Sequence, residues 1–452
     1  MSKKVCIIGA GPSGIAAAKN CKQYGLDFDI FEKNDKVGGN WVFNSKTGHS
    51  SVYENTHIIS SKLPSEYEDY PMPESYPEYP RHDQLQAYFE NYSKHFGFYN
   101  EIKFNHVVDN ITRTQNDLWL VEFTDAQGNK KQELYENLMV ANGHHWMPKY
   151  PVYEGEFTGK WMHSHDFKGV NDEWRDKKVL VIGAGNSGCD VATESTRVTK
   201  TVSLSMRSPQ WFFPKFMLGL PSDILLKAMD SLPAEQRQNI LTQSLTTLVG
   251  DYAKIGLPVN TKPPMSQHPT LNSDLIDYIR HGKIKIKPGI KKLDGKSVEF
   301  TDGSIQEFDI ICCCTGFWTV FPFFDEHLIN FKHAEKVPLY RKMMHADYKN
   351  LYFIGLFQPI GCIWPLADFQ ANLACQEILG NYHRPSDLQA AIEEEINNPH
   401  YKFESGQRHA VQVDYLPFRD ELVSDLASAG VTIPPRHYHI ELPELAKGLL
   451  EV

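Results

Sequence analysis

A chain of 452 residues, at about 100–200 residues per domain, has material for two or three domains, each with a sizeable core. Its formal net charge of -10, with no long Lys/Arg block, argues against nucleic acid or an anionic membrane as a partner and favours small-molecule chemistry. The 8 cysteines include no C-x-x-C pair, so neither a zinc site nor a disulfide framework is expected, and buried reduced thiols are.

Met1-Ser2-Lys3-Lys4 runs straight into an apolar strand, Val5-Cys6-Ile7-Ile8, without the regions of a secretory signal. The most apolar long window, Ile310 to Phe324, is shorter than the roughly 18 residues of a membrane span and contains Gly316 and Pro322. A cytoplasmic protein without a membrane segment is expected. After the first strand comes G-x-G-x-x-G. Gly9 permits the tight turn, Gly11 admits a pyrophosphate to the backbone, and Gly14 lets helix and strand approach closely. An Ala-rich helix from Ile15 to Tyr24 follows, with Gly25 as its left-handed cap. The next strand, Phe28 to Phe31, ends at Glu32, placed to accept hydrogen bonds from ribose hydroxyls. This unit reads as an ADP site without a 2′-phosphate, and FAD is the cofactor expected there.

The pattern returns at 179–194. The strand Val179-Leu180-Val181-Ile182 leads into Gly183, Gly185 and Gly188, a helix from Cys189 and a strand from Thr201 to Ser205. Where the first unit has an acid, this one has Arg207. A carboxylate would repel a 2′-phosphate, whereas a guanidinium pairs with it through two charge-assisted hydrogen bonds. The second turn therefore reads as an NADP(H) site. The fold class expected is α/β, with two Rossmann-like dinucleotide-binding domains and the NADP domain inserted into the FAD domain. The boundaries expected are 1–145 for the first part of the FAD domain, 146–317 for the NADP domain and 318–452 for the second part. A chain with both cofactors is built to pass a hydride from nicotinamide to flavin.

Several stretches then resemble one family. Gly38-Gly39-Asn40-Trp41 is similar to the G-G-x-W segment of flavoprotein monooxygenases. Phe157, Gly159, His163 and Phe167 reproduce the fingerprint F-x-G-x-x-x-H-x-x-x-[Y/F] of flavin-containing monooxygenases, just ahead of the second turn. "SQHPTLNSDL" (266–275), "CTGF" (314–317), "IGLFQPIG" (354–361) and "ESGQRHAVQVDY" (404–415) extend the likeness over nearly the whole chain. The pattern resembles the animal enzymes, without their C-terminal membrane-associating tail. The resemblance implies that NADPH reduces FAD, that O2 adds to give a C4a-hydroperoxyflavin, and that a tertiary amine or a sulfide takes the distal oxygen. A small-molecule amine or sulfide and O2 are thus the expected partners, and a homodimer is compatible with the sequence. The resemblance places Gln358 and Thr315 near flavin and nicotinamide, with Gly316 beside Thr315, and Trp41 against the flavin. It makes His163 a structural member of the fingerprint. Pro12, Ser13, Lys33, Gly39, Asn40 and Val107 are the further residues expected around FAD, and Asn186 and Ser187 around NADP(H); no metal site is expected.

One departure stands out. The family's loop after the first unit ends in Asn-x-Ser-Lys, but "YENTHIISSK" (53–62) has Ile59 at the Asn position. Asn55 and Ser60 are the neighbouring polar candidates for a catalytic role, although Asn55 also suits a turn. Oxidase leakage or a Baeyer–Villiger reaction on ketones is the alternative that Ile59 leaves open. A disulfide reductase is disfavoured by the missing cysteine pair after the first unit. Of the remaining segments, "DYPMPESYPEYP" (69–80) reads as an ordered loop, "LMVANGHH" (138–145) and "CCCTGF" (312–317) as the crossings between domains, and "SDLQAAIEEEIN" (386–397) as a helix with a solvated face.

Overall fold

The computed structural model describes residues 4–229, 232–399 and 406–434. The chain forms two compact units. One is built from Met1–Val52, Thr56–Met147 and the described chain from Trp318 onward, the other from Tyr53–Asn55 and Pro148–Phe317.

In the first unit five parallel strands lie in the order Leu351–Phe353, Asn137–Val140, Val5–Ile8, Phe28–Glu32 and Ile102–Phe104. The strand that carries the first glycine turn is central, and all four of its residues are buried. Such a strand reads as an uninterrupted apolar run because helices or loops cover both of its faces. The helix Pro12–Gln23 starts with proline in its first turn, three residues ahead of the expected Ile15. Proline is favoured there because its missing N–H has no helical partner to lose. At the other end Gly25 is left-handed, φ +67°, and its N–H donates to the Lys22 carbonyl. The helix packs against Trp364–Leu379, and between them Lys19 pairs with Asp69 and Asp368, each at 2.8 Å. The helix His82–His95 buries Leu85, Tyr88, Phe89 and Tyr92, the spacing of one helical face. A three-stranded antiparallel sheet, Val107–Arg113, Trp119–Thr124 and Lys130–Tyr135, completes the first part of this unit.

The second unit repeats the plan. Its five parallel strands run in the order Lys160–His163, Ile310–Cys313, Lys178–Ile182, Thr201–Ser205 and Ile284–Lys287. The helix Asn186–Ser195 begins three residues ahead of the expected Cys189, because it starts directly from Gly185. A four-stranded sheet of Glu154–Phe157, Ile290–Gly295, Ser297–Phe300 and Ile305–Glu307 flanks the larger one in the chain. Cys312 and Cys313 lie fully buried in a strand, and every cysteine is a free thiol.

The acidic segment 386–397 forms the helix Leu388–Asn397 with a solvated face at Gln389, Glu393 and Glu394, while on its other side Leu388 and Ile392 are buried and Glu395 pairs with Arg341 at 2.6 Å. Within "ESGQRHAVQVDY", Glu404 and Ser405 lie outside the described residues; the rest gives a short strand, Gln412–Val413, and the start of the helix Tyr415–Ser428.

Candidate functional site: two dinucleotide turns

The two glycine turns are nearly superimposable in their local contacts. Gly9 and Gly183 both have φ +100°, a conformation that residues with a Cβ rarely adopt. A Cβ on Gly9 would stand 2.7 Å from the Ala141 carbonyl oxygen, and one on Gly183 would stand 2.6 Å from that of Cys314. A Cβ on Gly14 or on Gly188 would lie 1.8 Å from the oxygen of Gly9 or Gly183 respectively. These four glycines hold helix and strand together. The middle glycines differ: a Cβ on Gly11 meets nothing nearer than Gly39 Cα at 3.5 Å, and a Cβ on Gly185 meets nothing within 4 Å. The protein leaves open space at those two positions, at the N-terminus of a helix, which is where an anionic pyrophosphate is stabilised. Pro12 and Ser13 open the first helix and Asn186 and Ser187 the second. Asn186 Oδ1 accepts from the Leu271 N–H at 2.7 Å, tying the helix start to the loop before the helix Leu275–Arg280.

The ends of the second strands differ in charge, as the sequence indicated. Glu32 is buried, and its two carboxylate oxygens accept from Ala10 N–H at 2.7 Å and Asn34 N–H at 2.8 Å. Burial raises its carboxyl above the usual range, while these two bonds pull the other way. The His106 N–H donates to the Glu32 carbonyl at 3.0 Å, which brings the entry of the next sheet, at the exposed Val107, alongside this end. Arg207 is exposed, and its guanidinium makes no ion pair among the described residues. Lys149 is close enough that burial first, and Arg207 second, lower its ammonium. Two neighbouring cations suit a doubly charged 2′-phosphate. Lys149 stands in no motif, so nothing in the sequence singles it out.

A cluster surrounds the first turn. The approach of Gly39 to Gly11 seats the short helix Gly39–Trp41 beside it. Asn40 Oδ1 accepts from Ser51 N–H at 2.7 Å, its carbonyl accepts from Ser50 Oγ at 2.6 Å, and Ser51 Oγ donates to the His145 carbonyl at 2.7 Å. The Lys33 ammonium lies 5.0 Å from the Trp146 ring centre, and Trp41 meets Trp364 edge-on at 6.0 Å. Beyond them, among the described residues, Gln358 Oε1 and both ring nitrogens of His144 are buried without a hydrogen-bond partner, although the Gln358 amide faces His144. Burial pushes the His144 imidazole well below its ordinary range, with His145 adding to the shift. Orphaned buried polar atoms are costly unless a ligand satisfies them. Together with the glycine cradle, they fit a flavin dinucleotide at this end of the unit. Only the crossing segment "ANGHH" points to His144 from the sequence.

The other candidate residues are held by protein partners. Ser60 Oγ bonds Ser65 Oγ at 2.8 Å, and Asn55 Nδ2 donates to Glu194 at 3.1 Å on the helix of the second turn. Ser60 belongs to the first unit and Asn55 to the second. Ile59, at the departure from the family pattern, is half-buried. Thr315 Oγ1 donates to the Lys149 carbonyl, and the Lys149 N–H donates to Gly316, so "CTGF" acts first as a brace for the loop that carries Lys149.

His163 is fully buried between the rings of Tyr150 and Phe317, with Nδ1 accepting from the His165 N–H at 3.0 Å. Burial lowers its pKa to about 4. A histidine with a depressed folded pKa contributes stability above its unfolded value of about 6.5, and that contribution is lost as pH falls toward the folded value. Acidification from pH 7 to 5 is therefore expected to cost about 2 kcal/mol at this residue. Urea unfolding of wild type and His163→Gln at both pH values measures it. Equal pH slopes for the two proteins would contradict the assignment.

The fold and the paired turns define the class: an α/β protein with two Rossmann-like dinucleotide-binding domains, one inserted in the other. A family model described as flavin-binding monooxygenase-like matches residues 2–446. Among curated proteins the chain is 32% identical over 441 residues to flavin-containing monooxygenase 5 of Oryctolagus cuniculus, covering 93% of this chain and 82% of the relative. It is 31% identical to dimethylaniline monooxygenase (N-oxide-forming) 2 of Cavia porcellus, with 99% and 86% covered. Among solved structures, S-allyl-L-cysteine S-oxygenase from Allium sativum shares the fold, with a TM-score of 0.70 at 19% identity over 100% of this chain and 92% of that one. The chain belongs to the flavin-binding monooxygenase-like family. It is a flavin monooxygenase, and the cofactors of this class are FAD and NADP(H). No helix among the described residues is long and apolar enough to cross a membrane.

Proposed function

We propose that this enzyme uses NADPH and O2 to oxygenate soft nucleophiles, tertiary amines to N-oxides and sulfides to S-oxides. The observation that carries the reading is the pair of glycine turns with one geometry and opposite charge at the ribose end, Glu32 in one and Arg207 with Lys149 in the other. The first turn, in a domain of 1–145 and 318–452, takes the ADP part of FAD, and the second, in 146–317, takes that of NADP(H). Bound flavin supplies a redox centre that accepts a hydride and reacts with O2. The chain's own residues position and exclude water. Gly11 and Gly185 leave room for the two pyrophosphates, Asn40 fixes the loop at Ser50 and Ser51, and Trp41 with Trp364 closes an apolar wall. Gln358 Oε1 and the His144 ring nitrogens would be the polar groups to hold a bound flavin; His144, held neutral by burial, donates from one nitrogen and accepts at the other. Ser60 and Asn55 serve as positioning residues through Ser65 and Glu194. The balance is NADPH, a proton, O2 and the nucleophile giving NADP+, water and the oxide.

The names of the curated relatives support heteroatom oxidation, since one is N-oxide-forming. Incubation with NADPH under 18O2, with dimethylaniline or methyl phenyl sulfide as probe, is expected to give a product one 18O heavier by mass spectrometry. Lactone from cyclohexanone with neither oxide formed, or hydrogen peroxide as the sole oxygen product with every probe, would overturn the assignment.

A further inference from the structure

In the first unit the chain turns through Arg341 and Lys342, which have φ of +50° and +54°. Two successive side-chain-bearing residues in the left-handed region are strained, and such strain persists only where the surroundings impose it. Here they do. The Arg341 N–H donates to Glu395 at 3.1 Å, the Arg341 carbonyl accepts from Gln370 at 2.8 Å, and the guanidinium pairs with Glu395 at 2.6 Å and Asp425 at 2.8 Å. Arg341 is thereby satisfied. Its neighbour is not.

Lys342 is only 8% exposed, yet its ammonium makes no hydrogen bond or ion pair among the described residues. Burial pushes the amine below its ordinary range; Glu395 and Glu421 oppose that shift, and Lys336 adds to it. The side chain lines a cavity of about 370 Å³ with two kinds of wall. Val413, Pro385, Pro417 and Phe418 are apolar, while Glu394 and Glu421, the latter also 3.4 Å from the Arg341 guanidinium, bring carboxylates to the same space. The ammonium sits at the cavity with no hydrogen-bond partner among the described residues, and a ligand carboxylate would supply one. A plain anion would then face the two acids, whereas a ligand with its own ammonium turns that repulsion into attraction. The volume falls in the range of small-molecule sites, about 300–1,000 Å³.

We propose that this cavity binds a zwitterion, an α-amino acid with an apolar side chain, its carboxylate on Lys342, its ammonium toward Glu394 and Glu421, and its side chain against Val413 and Phe418. The site is independent of the monooxygenase reading, because binding there needs neither cofactor nor turnover. Calorimetric titration of the flavin-loaded protein with L-leucine tests it. Saturable binding is expected, at least 10-fold weaker for L-leucine methyl ester, which lacks the carboxylate, and for 4-methylpentanoate, which lacks the ammonium. Lys342→Met is expected to remove the difference between leucine and its ester. On wild type, photo-leucine is expected to cross-link to the peptide that contains Val413 and Phe418. No saturable heat, unchanged discrimination in Lys342→Met, or cross-links mapping elsewhere would each overturn the proposal.

Discussion

Arg207→Ala is expected to raise the KM for NADPH by about 10-fold or more and to leave that for NADH almost unchanged. The guanidinium is exposed and makes no ion pair among the described residues, so its loss breaks no ion pair there. What disappears is a pair of charge-assisted hydrogen bonds to a 2′-phosphate, each worth about 1.5–3 kcal/mol before screening, and about 1.4 kcal/mol is a factor of ten. Lys149, the second cation of the site, keeps a residual preference, so Lys149→Ala combined with Arg207→Ala is the variant in which the two nucleotides converge. Steady-state kinetics with both nucleotides provide the readout. A wild type that uses NADH as well as NADPH, or a variant slowed equally with both, would show that Arg207 does not discriminate.

The larger contrast lies within one turn. Gly188→Ala places its methyl 1.8 Å from a backbone oxygen, which no rotamer relieves, so helix and strand must separate. A loss of about 4 kcal/mol or more, and a fall in Tm of about 10 °C, is expected for the second unit. Gly185→Ala has extended backbone, φ -77°, and open space around the new methyl. It is expected to change stability by less than about 1 kcal/mol, as at other helix N-caps, and to weaken NADPH binding by about 10-fold or more, because the methyl fills the approach of the pyrophosphate. Both variants should keep their FAD, since the first turn is untouched. Differential scanning fluorimetry with NADP+ titration separates the two effects. Equal Tm values for the two variants would remove the division of labour among the glycines.

The backbone of both nucleotide units was legible because each step is local: an apolar run, three glycines at fixed spacing, a helix and a terminal charged residue. The helices start at Pro12 and Asn186, three residues ahead of where the pattern places them, since the first turn carries no apolar periodicity to mark it. What the sequence concealed depends on residues distant in the chain. Lys149 gains meaning only beside Arg207, and His144 only beside Gln358. Glu395 looks like a solvated acid in "AIEEEIN", and nothing within that segment announces the arginine that meets it from position 341. The Ser60 hydroxyl, read from the loop pattern as a candidate, turned out to be engaged by a serine five residues on.

The discontinuous first unit also fixes an order of events during biosynthesis. Its sheet is closed at one edge by Leu351–Phe353, and Lys19 finds Asp368 across a separation of 349 residues. On the ribosome, therefore, Val5–Ile8 and Asn137–Val140 emerge long before the strand that completes them, while Pro148–Phe317 emerges as one uninterrupted run. Contacts of such long separation form late and slowly, and a strand edge left open meanwhile is a template for wrong pairing. The nascent chain thus carries one finished domain and one unfinished sheet at the same time, and it is during that interval, rather than after release, that a chaperone has most to protect.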